Sequence, residues 1–254
     1  MNDLSGEVRR LCVALDVERY SRRSDPEQRE IQRRLVEVIG AAGREAGLDR
    51  LYLAERAAYV EAGSEAVMFH QEQGDGSLLL LPSGVSESRI IAGFTSELRI
   101  ALRQHNRHLG GDAPVRLRLR LAYHQGPTRV GDNGFAGRAV NTVCRLRDSD
   151  ELRRALTRHP EADLAVIVSG ALFEDVIEHE YRDLRKDAFH PVTVHAKEGS
   201  VAAWISVPDA AGGRPSGSVP GAVPRPSPGA APGNRHAGPP ARVVRLAPIV
   251  NIED

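Results

Sequence analysis

Cysteine is scarce in this chain: only two of its 254 residues are Cys, at positions 12 and 144. Two cysteines within apolar segments do not form the disulfide framework that holds small secreted domains together. The nine histidines show no His-x-x-x-His spacing, so no zinc-ligand pattern is present. We therefore expect a protein of the reducing cytoplasm.

Long apolar runs and a charge of one sign are also lacking. No stretch approaches the roughly 18 apolar residues that span a bilayer, and the polar N-terminus has no signal-peptide core. Lys and Arg together number 34, as do Asp and Glu. Because the charges balance, no general surface for nucleic acid or membrane is expected.

The composition changes after Pro208. Residues 210–240 contain 8 Pro and 7 Gly but no acidic residue, a composition that cannot bury enough surface to offset its ordering entropy. We expect one folded domain over 1–208, a disordered linker over 209–242 and a short apolar segment over 243–254. That segment could dock on a protein partner, fold back on its own domain, or be a frayed tail.

Hydrophobic periodicity predicts alternating strands and helices in the first half of the domain. The order strand, helix, strand, strand, helix, strand matches the ferredoxin-like βαββαβ unit. In that topology the first and third strands are neighbours, so Asp16 and the 74–76 turn should meet at one end of the sheet. The predicted strands are 9–17, 66–73, 77–82 and 115–124, and the helices are 26–46 and 86–109.

Further elements are expected beyond this core. Arg116, Arg118 and Arg120 alternate with leucines, which predicts a half-buried strand with three solvated or dimer-contacting arginines; a polyphosphate role is the alternative. His124, His190 and His195 are expected to be structural. The later predicted elements are helices at 135–147, 150–158 and 170–179, a strand at 164–168, and a hairpin of 190–195 with 200–207.

Four polar residues stand where chemistry is possible. Asp16 ends an apolar run and Asp75 lies in a Gly-Asp-Gly turn, and carboxylates on strand ends can hold Mg²⁺ or Mn²⁺. Asn141 and Arg145 are four apart on a predicted helix, so they share one face and could stabilise a phosphoryl transition state. The structural alternatives are a helix cap, a turn residue, a helix-end amide and a surface arginine.

At these residues the chain resembles the class III nucleotidyl cyclases, the adenylyl and guanylyl cyclase family. Residues 16–21 are similar to its first metal motif, and 73–76 to its second. Residues 124–127, followed by 137–145, resemble its strand-loop-helix that ends in Asn-x-x-x-Arg. The likeness spans residues 8–207, with the motifs in the family's order.

The resemblance implies an α/β (α+β) fold, with the ferredoxin-like core extended by C-terminal strands and helices. It also implies a homodimer with shared sites, two Mg²⁺ or Mn²⁺ per site, and a nucleoside triphosphate as substrate. The metal ligands would be Asp16, the Val17 carbonyl and Asp75; Asn141 and Arg145 would act from the partner subunit. Lys197 stands near the position of the family's triphosphate-binding Lys, or is a surface lysine of the hairpin. From the residues alone, Ser21 and the neighbouring amides from Glu18 onwards could cradle phosphates where a helix or turn begins, or form a plain loop and helix cap.

Two positions depart from the family's base-reading pair. Gln71 stands where a Lys is usual, and Gly134 where an Asp is usual. The chain is thus predicted to be a nucleotidyl cyclase of unusual base choice, forming a 3′,5′-cyclic monophosphate and pyrophosphate. The alternative is an inactive cyclase-like signalling or interaction protein that binds nucleotide, or binds a partner through its tail. A diguanylate-type cyclase is less supported, because no Gly-Gly-Asp-Glu-Phe occurs at the hairpin.

Overall fold

The computed structural model describes residues 7–48, 69–72, 74–107, 116–131, 134–196 and 199–210. Lys197, the tail segment 243–254 and nearly all of the predicted linker lie outside these residues. Within the described residues, no helix is both long and apolar enough to cross a membrane. The strands are β1 (Val8–Val17), β2 (Phe69–Glu72), β3 (Gly76–Leu80), β4 (Leu119–Gly131), β5 (Gly134–Ala136), β6 (Leu164–Ser169), β7 (His190–Ala196) and β8 (Gly199–Ser206).

Helices connect these strands in the predicted βαββαβ order. Helix α1 (Asp25–Glu45) follows β1, and α2 (Glu87–Arg107) precedes β4. The later helices are α3 (Arg138–Arg147), α4 (Asp150–Arg158) and the short α5 (Gly170–Leu172), which runs into a π-helical turn at Phe173–Ile177. Single 3₁₀ turns lie at Tyr20–Arg22, Tyr181–Asp183 and Lys186–Ala188.

The strands form one mixed sheet in the order β2-β3-β1-β4-β6-β8-β7, with β5 paired to β4. Only the β4–β6 pairing is parallel among the pairings described. As expected, β1 and β3 are neighbours, and β7 and β8 form the C-terminal hairpin. The α/β fold class and the ferredoxin-like core are therefore confirmed.

Strand β1 is apolar because helices cover both faces of the sheet. Leu11, Val13 and Leu15 belong to the core cluster that contains the α1 and α2 side chains. Cys12 and Ala14 belong to the opposite cluster, with α3 and α4. Since side chains alternate along a strand, Asp16 lies on the α3 and α4 face of the sheet.

Some boundaries and burial states differ from the sequence-based expectations. Helix α1 begins at Asp25, one residue before the predicted start, and its N-cap is Ser24. Both the backbone N–H and the hydroxyl of Ser24 donate to Glu27, at 2.8 Å. Helix α3 begins at Arg138 because residues 134–136 form β5. The expected half-buried strand is buried on both faces at Arg120, since α3 and α4 cover the arginine side.

Candidate active site

The fold brings the two predicted metal-binding carboxylates to the same end of the sheet. In the antiparallel β1–β3 pairing, Asp16 lies opposite Gly76, which directly follows Asp75. The Val17 N–H donates to the Asp75 carbonyl oxygen at 2.9 Å. A side chain at position 76 would place its Cβ only 2.2 Å from the Leu15 carbonyl oxygen, so glycine permits this close approach.

The Asp16 carboxylate is nevertheless paired with an arginine in this structure. Its exposed fraction is 5% and that of Arg120 is 8%. The two residues face each other in the β1–β4 register. Arg120 Nε donates to Asp16 Oδ1 at 2.9 Å, and Nη2 donates to Oδ2. This two-pronged arrangement is the strong form of an arginine–carboxylate bond.

Burial controls the electrostatics of Asp16. It raises the pKa of this carboxyl to about 6, against the lowering effect of the Arg120 and Arg147 charges. Asp148, next to Arg147, raises the pKa further. Because water solvates this carboxylate poorly, the charged form of Asp16 depends on nearby cations.

Asp75 has a different environment at the same edge. Its side chain is only partly buried, and it follows Gly74, whose φ of 76° forms the turn. Asp75 is therefore accessible to a cation from solvent, and the Val17 carbonyl lies at the adjacent end of β1.

Within the described residues, no group of three or more His, Cys, Asp or Glu could hold a metal.

The donor set does not fit two divalent cations in this arrangement. Mg²⁺ binding requires free carboxylate oxygens, and both oxygens of Asp16 accept hydrogen bonds from Arg120. The Asp75 carboxylate can serve as a cation ligand, whereas the Asp16 carboxylate can do so only if Arg120 moves away.

The other two arginines of the β4 region are also engaged. Arg118 donates to Glu18 at 2.7 Å and to the carbonyl oxygens of Leu156, His159 and Ala162. Arg116 donates to Asp163 at 2.6 Å. These contacts fasten the loop between α4 and β6 to the sheet, so the structure gives a polyphosphate role no support.

The predicted phosphate loop is only partly as expected. Ser21 is exposed in the 3₁₀ turn after β1. Arg19 starts that turn with a φ of 60°, and the Gln32 side chain anchors it by donating to the Tyr20 hydroxyl at 2.7 Å. The Glu18 amide donates to the Arg118 carbonyl oxygen, so it is not available to phosphate as predicted.

Helix α3 carries both predicted transition-state residues, and Asn141 lies on the half of the helix that is farther from Asp16 of the same chain. Its start lies over Gly126, where an added Cβ would be 3.0 Å from the Ala139 Cβ. Its end lies near Asp16, since Arg147 acts on that carboxyl electrostatically. Asn141 is exposed and lies roughly 9 Å along the helix axis from Arg147. Arg145 is half-buried.

The two base-recognition positions are not brought together within one chain. Gln71 is exposed on β2, at the edge of the described sheet. Gly134 begins β5, which pairs with β4. Strands β3 and β1 lie between β2 and β4. The distance between β2 and β4 across the sheet is therefore about 14 Å. A site that used both positions would draw them from two chains.

The residues that sequence reasoning missed are the partners of the first motif. Arg120 holds Asp16, Arg118 holds Glu18, and Arg147 with Asp148 lies close by. One signal was available: the ferredoxin-like order places β4 beside β1. An arginine of β4 could therefore have been expected opposite an acidic residue of β1.

Comparisons with known proteins agree with this architecture. No protein-family model and no curated protein matches the chain. The solved structure of the guanylyl cyclase Cya2 matches with a TM-score of 0.50 at 18% identity, covering 79% of this chain and 93% of that one. The adenylate/guanylate cyclase/hydrolase from Silicibacter pomeroyi matches with a TM-score of 0.49 at 21% identity, over 80% and 99% of the chains. The adenylyl cyclase CyaB from P. aeruginosa gives 0.46 at 14%, over 79% and 95%.

The likeness to Cya2 is one of fold. It covers 79% of this chain, which has the mixed sheet and covering helices described above. This chain therefore has the fold of the class III nucleotidyl cyclase catalytic domain.

Proposed function

We propose that this protein is a nucleotidyl cyclase that converts a nucleoside triphosphate to a 3′,5′-cyclic monophosphate and pyrophosphate. The observation that carries the proposal is the β1–β3 register, which places Asp16 opposite the residue after Asp75 within a cyclase fold. The end of β1 and the turn before β3, which are separate motifs in the sequence, thus lie side by side at one end of the sheet.

The reaction is an internal displacement at phosphorus. The ribose 3′-hydroxyl gives up its proton to solvent and its oxygen forms a bond to the α-phosphorus. The bond from that phosphorus to the bridging oxygen breaks, and pyrophosphate leaves with the electron pair. Arg145 and Asn141 would donate to the oxygens on which charge develops, and such preorganised donors stabilise the transition state more than the ground state.

The proposed active form is a head-to-tail homodimer. Asn141 is exposed and lies towards the end of α3 that is remote from Asp16 of its own chain. A second subunit could supply Asn141 and Arg145 to the Asp16 and Asp75 edge, giving two shared sites. Mg²⁺ or Mn²⁺ is the proposed cofactor, with Asp75 as its partly exposed ligand.

The base is proposed to be unusual for the family. Gln71 presents an exposed amide that can donate and accept hydrogen bonds, whereas Gly134 offers no side chain. Ser21 is proposed to contact the phosphates from the exposed 3₁₀ turn, and Lys197 from the β7–β8 connection.

A second candidate function is nucleotide binding without turnover. The bond between Arg120 and Asp16 favours it, because a carboxylate held by arginine is not free to bind a cation. In that case the segment 243–254 would serve a protein partner. Removal of the chain after Pro208 should then abolish partner binding while thermal stabilisation by nucleotide persists.

Mass spectrometry of the products separates the two functions. The purified chain is incubated with Mn²⁺ or Mg²⁺ and with ATP, GTP, CTP or UTP in turn. A cyclic monophosphate that disappears in Asp75→Ala and Arg145→Ala, but persists in Arg154→Ala, supports the cyclase. Arg154 is a suitable control because it is a surface arginine paired only locally, with Glu151 at 3.4 Å. Absence of product from all four nucleotides, with the dimer intact, would favour the binding function.

A further inference from the structure

The charges around Asp16 already balance without any added ion. Asp16 faces Arg120 across the strands, and Arg147 faces Asp148 at the end of α3. Two residues further along the chain from Asp16, Glu18 pairs with Arg118. Each negative charge in this set is matched by one guanidinium, so a divalent cation beside the buried Asp16 would add two positive charges that these residues do not compensate.

Arg120 cannot release Asp16 by losing its proton. Guanidinium groups stay charged in proteins, so the bond opens only if the side chain moves. Both oxygens of Asp16 accept from Arg120, and both residues are buried. The arginine and a cation therefore compete directly for the same two oxygens.

We propose that Arg120 is the resident counter-ion of Asp16 and that Asp16 coordinates a divalent cation only after Arg120 has moved away. In the resting protein, Asp75 is the one of these two carboxylates that is open to Mn²⁺. The negative charge of a triphosphate would favour the state in which Arg120 has left Asp16, because the phosphate oxygens can accept hydrogen bonds from Arg120 and also bind the cation. This last step rests on the proposed function; the competition for Asp16 does not.

A direct titration with Mn²⁺ tests the competition without any turnover. Free Mn²⁺ is followed by electron paramagnetic resonance while the full-length chain is added, in the absence of nucleotide. The informative variant is Arg120→Lys, which keeps the buried positive charge but cannot grip both carboxylate oxygens in a fork. Arg116→Lys is the matched control, because Arg116 is bound to Asp163 and not to Asp16.

We expect Arg120→Lys to bind Mn²⁺ about tenfold more tightly than the wild type, as a bidentate competitor is weakened. Arg116→Lys should be unchanged, and Asp16→Asn combined with Arg120→Lys should lose the gain. Equal affinities in the wild type and Arg120→Lys would overturn the proposal. So would a gain that survives the Asp16→Asn change.

The more severe variant Arg120→Met adds a stability measurement. It leaves Asp16 buried without its counter-ion, so its melting temperature should fall and Mn²⁺ should restore it. The wild type should show no comparable Mn²⁺ effect. Failure of Mn²⁺ to restore stability would contradict the proposal. These measurements remain decisive if no nucleotide is cyclised, so the failure of this inference and of the cyclase assignment can be told apart.

Discussion

Asp16 and Asp75 belong to the same edge of the sheet but to different physical environments. The sequence treats them alike, as carboxylates at the ends of apolar runs. In the structure Asp16 is buried and held by Arg120, whereas Asp75 is partly exposed on a turn. A motif therefore identifies a possible ligand, while the neighbouring strand determines whether that ligand is free.

The largest expected difference between the two carboxylates is in stability. Asp16→Ala leaves Arg120 buried without a partner and should lower the free energy of unfolding by about 3–5 kcal/mol. Asp75→Ala removes a partly exposed side chain and should change it by less than about 1 kcal/mol. Urea unfolding of both variants measures this. Similar losses would mean that the two environments are equivalent.

Replacing the whole pair should recover most of that loss. Asp16→Leu combined with Arg120→Met removes both buried charges, and such exchanges are often neutral or stabilising. We expect the double variant to unfold within about 2 kcal/mol of the wild type, by the same urea measurement. A double variant as unstable as Asp16→Ala would show that the charges do not determine the stability of this edge.

The packing of helix α3 on the sheet can also be tested, because this packing fixes the position of Asn141 relative to Asp16. Gly126→Ala would place a Cβ 3.0 Å from the Ala139 Cβ and should cost about 1–3 kcal/mol of stability through overpacking. Gly93→Ala is the control. Its added Cβ meets Ala46 at an ordinary 3.9 Å, and helix propensity favours alanine there. Thermal melts should therefore shift in opposite directions.

A smaller effect is expected from acid, through His124. Burial lowers the pKa of His124 to about 4, and its ring nitrogen Nδ1 is 2.9 Å from the Ser169 hydroxyl. Unfolding returns its pKa to about 6.5, so between these values the unfolded chain binds more protons. The contribution to stability is full above about pH 6.5 and is lost as the pH falls towards 4.

Between about pH 7 and pH 4.5 the free energy of unfolding should fall in both proteins. The decrease should be about 1–2 kcal/mol smaller in His124→Gln than in the wild type. His195→Gln, at an exposed position, serves as the control. Chemical denaturation at the two pH values gives the comparison. An acid sensitivity equal to that of the wild type would exclude His124 as its source.

The sequence predicted the elements well because their signals are local. Alternation and helical spacing identified β1, α1, α2 and the closing hairpin. The neighbour relation of β1 and β3, which unites Asp16 with the turn, followed from the element order. The partner of Asp16 did not, because it depends on the β1–β4 register, a non-local property that a slip of one residue would invert.

Arg116 is exposed as predicted, but the exposure of Arg120 was mispredicted for a related reason. Alternation in a single strand shows which residues share a face, but not what covers that face. Arg120 shares a face with Arg118, and α3 and α4 cover the sheet there. The covering helices come later in the chain, so the strand pattern alone predicted solvent.

In the proposed dimer, Asp75 of one subunit and Arg145 of the other form one catalytic site. The most direct test mixes two inactive variants, Asp75→Ala and Arg145→Ala, lets the subunits exchange, and measures cyclic monophosphate by mass spectrometry. Half of the dimers would be mixed, each with one intact site out of two, so we expect about a quarter of the wild-type activity. No activity in the exchanged mixture, from variants that dimerise and an active wild type, would contradict it.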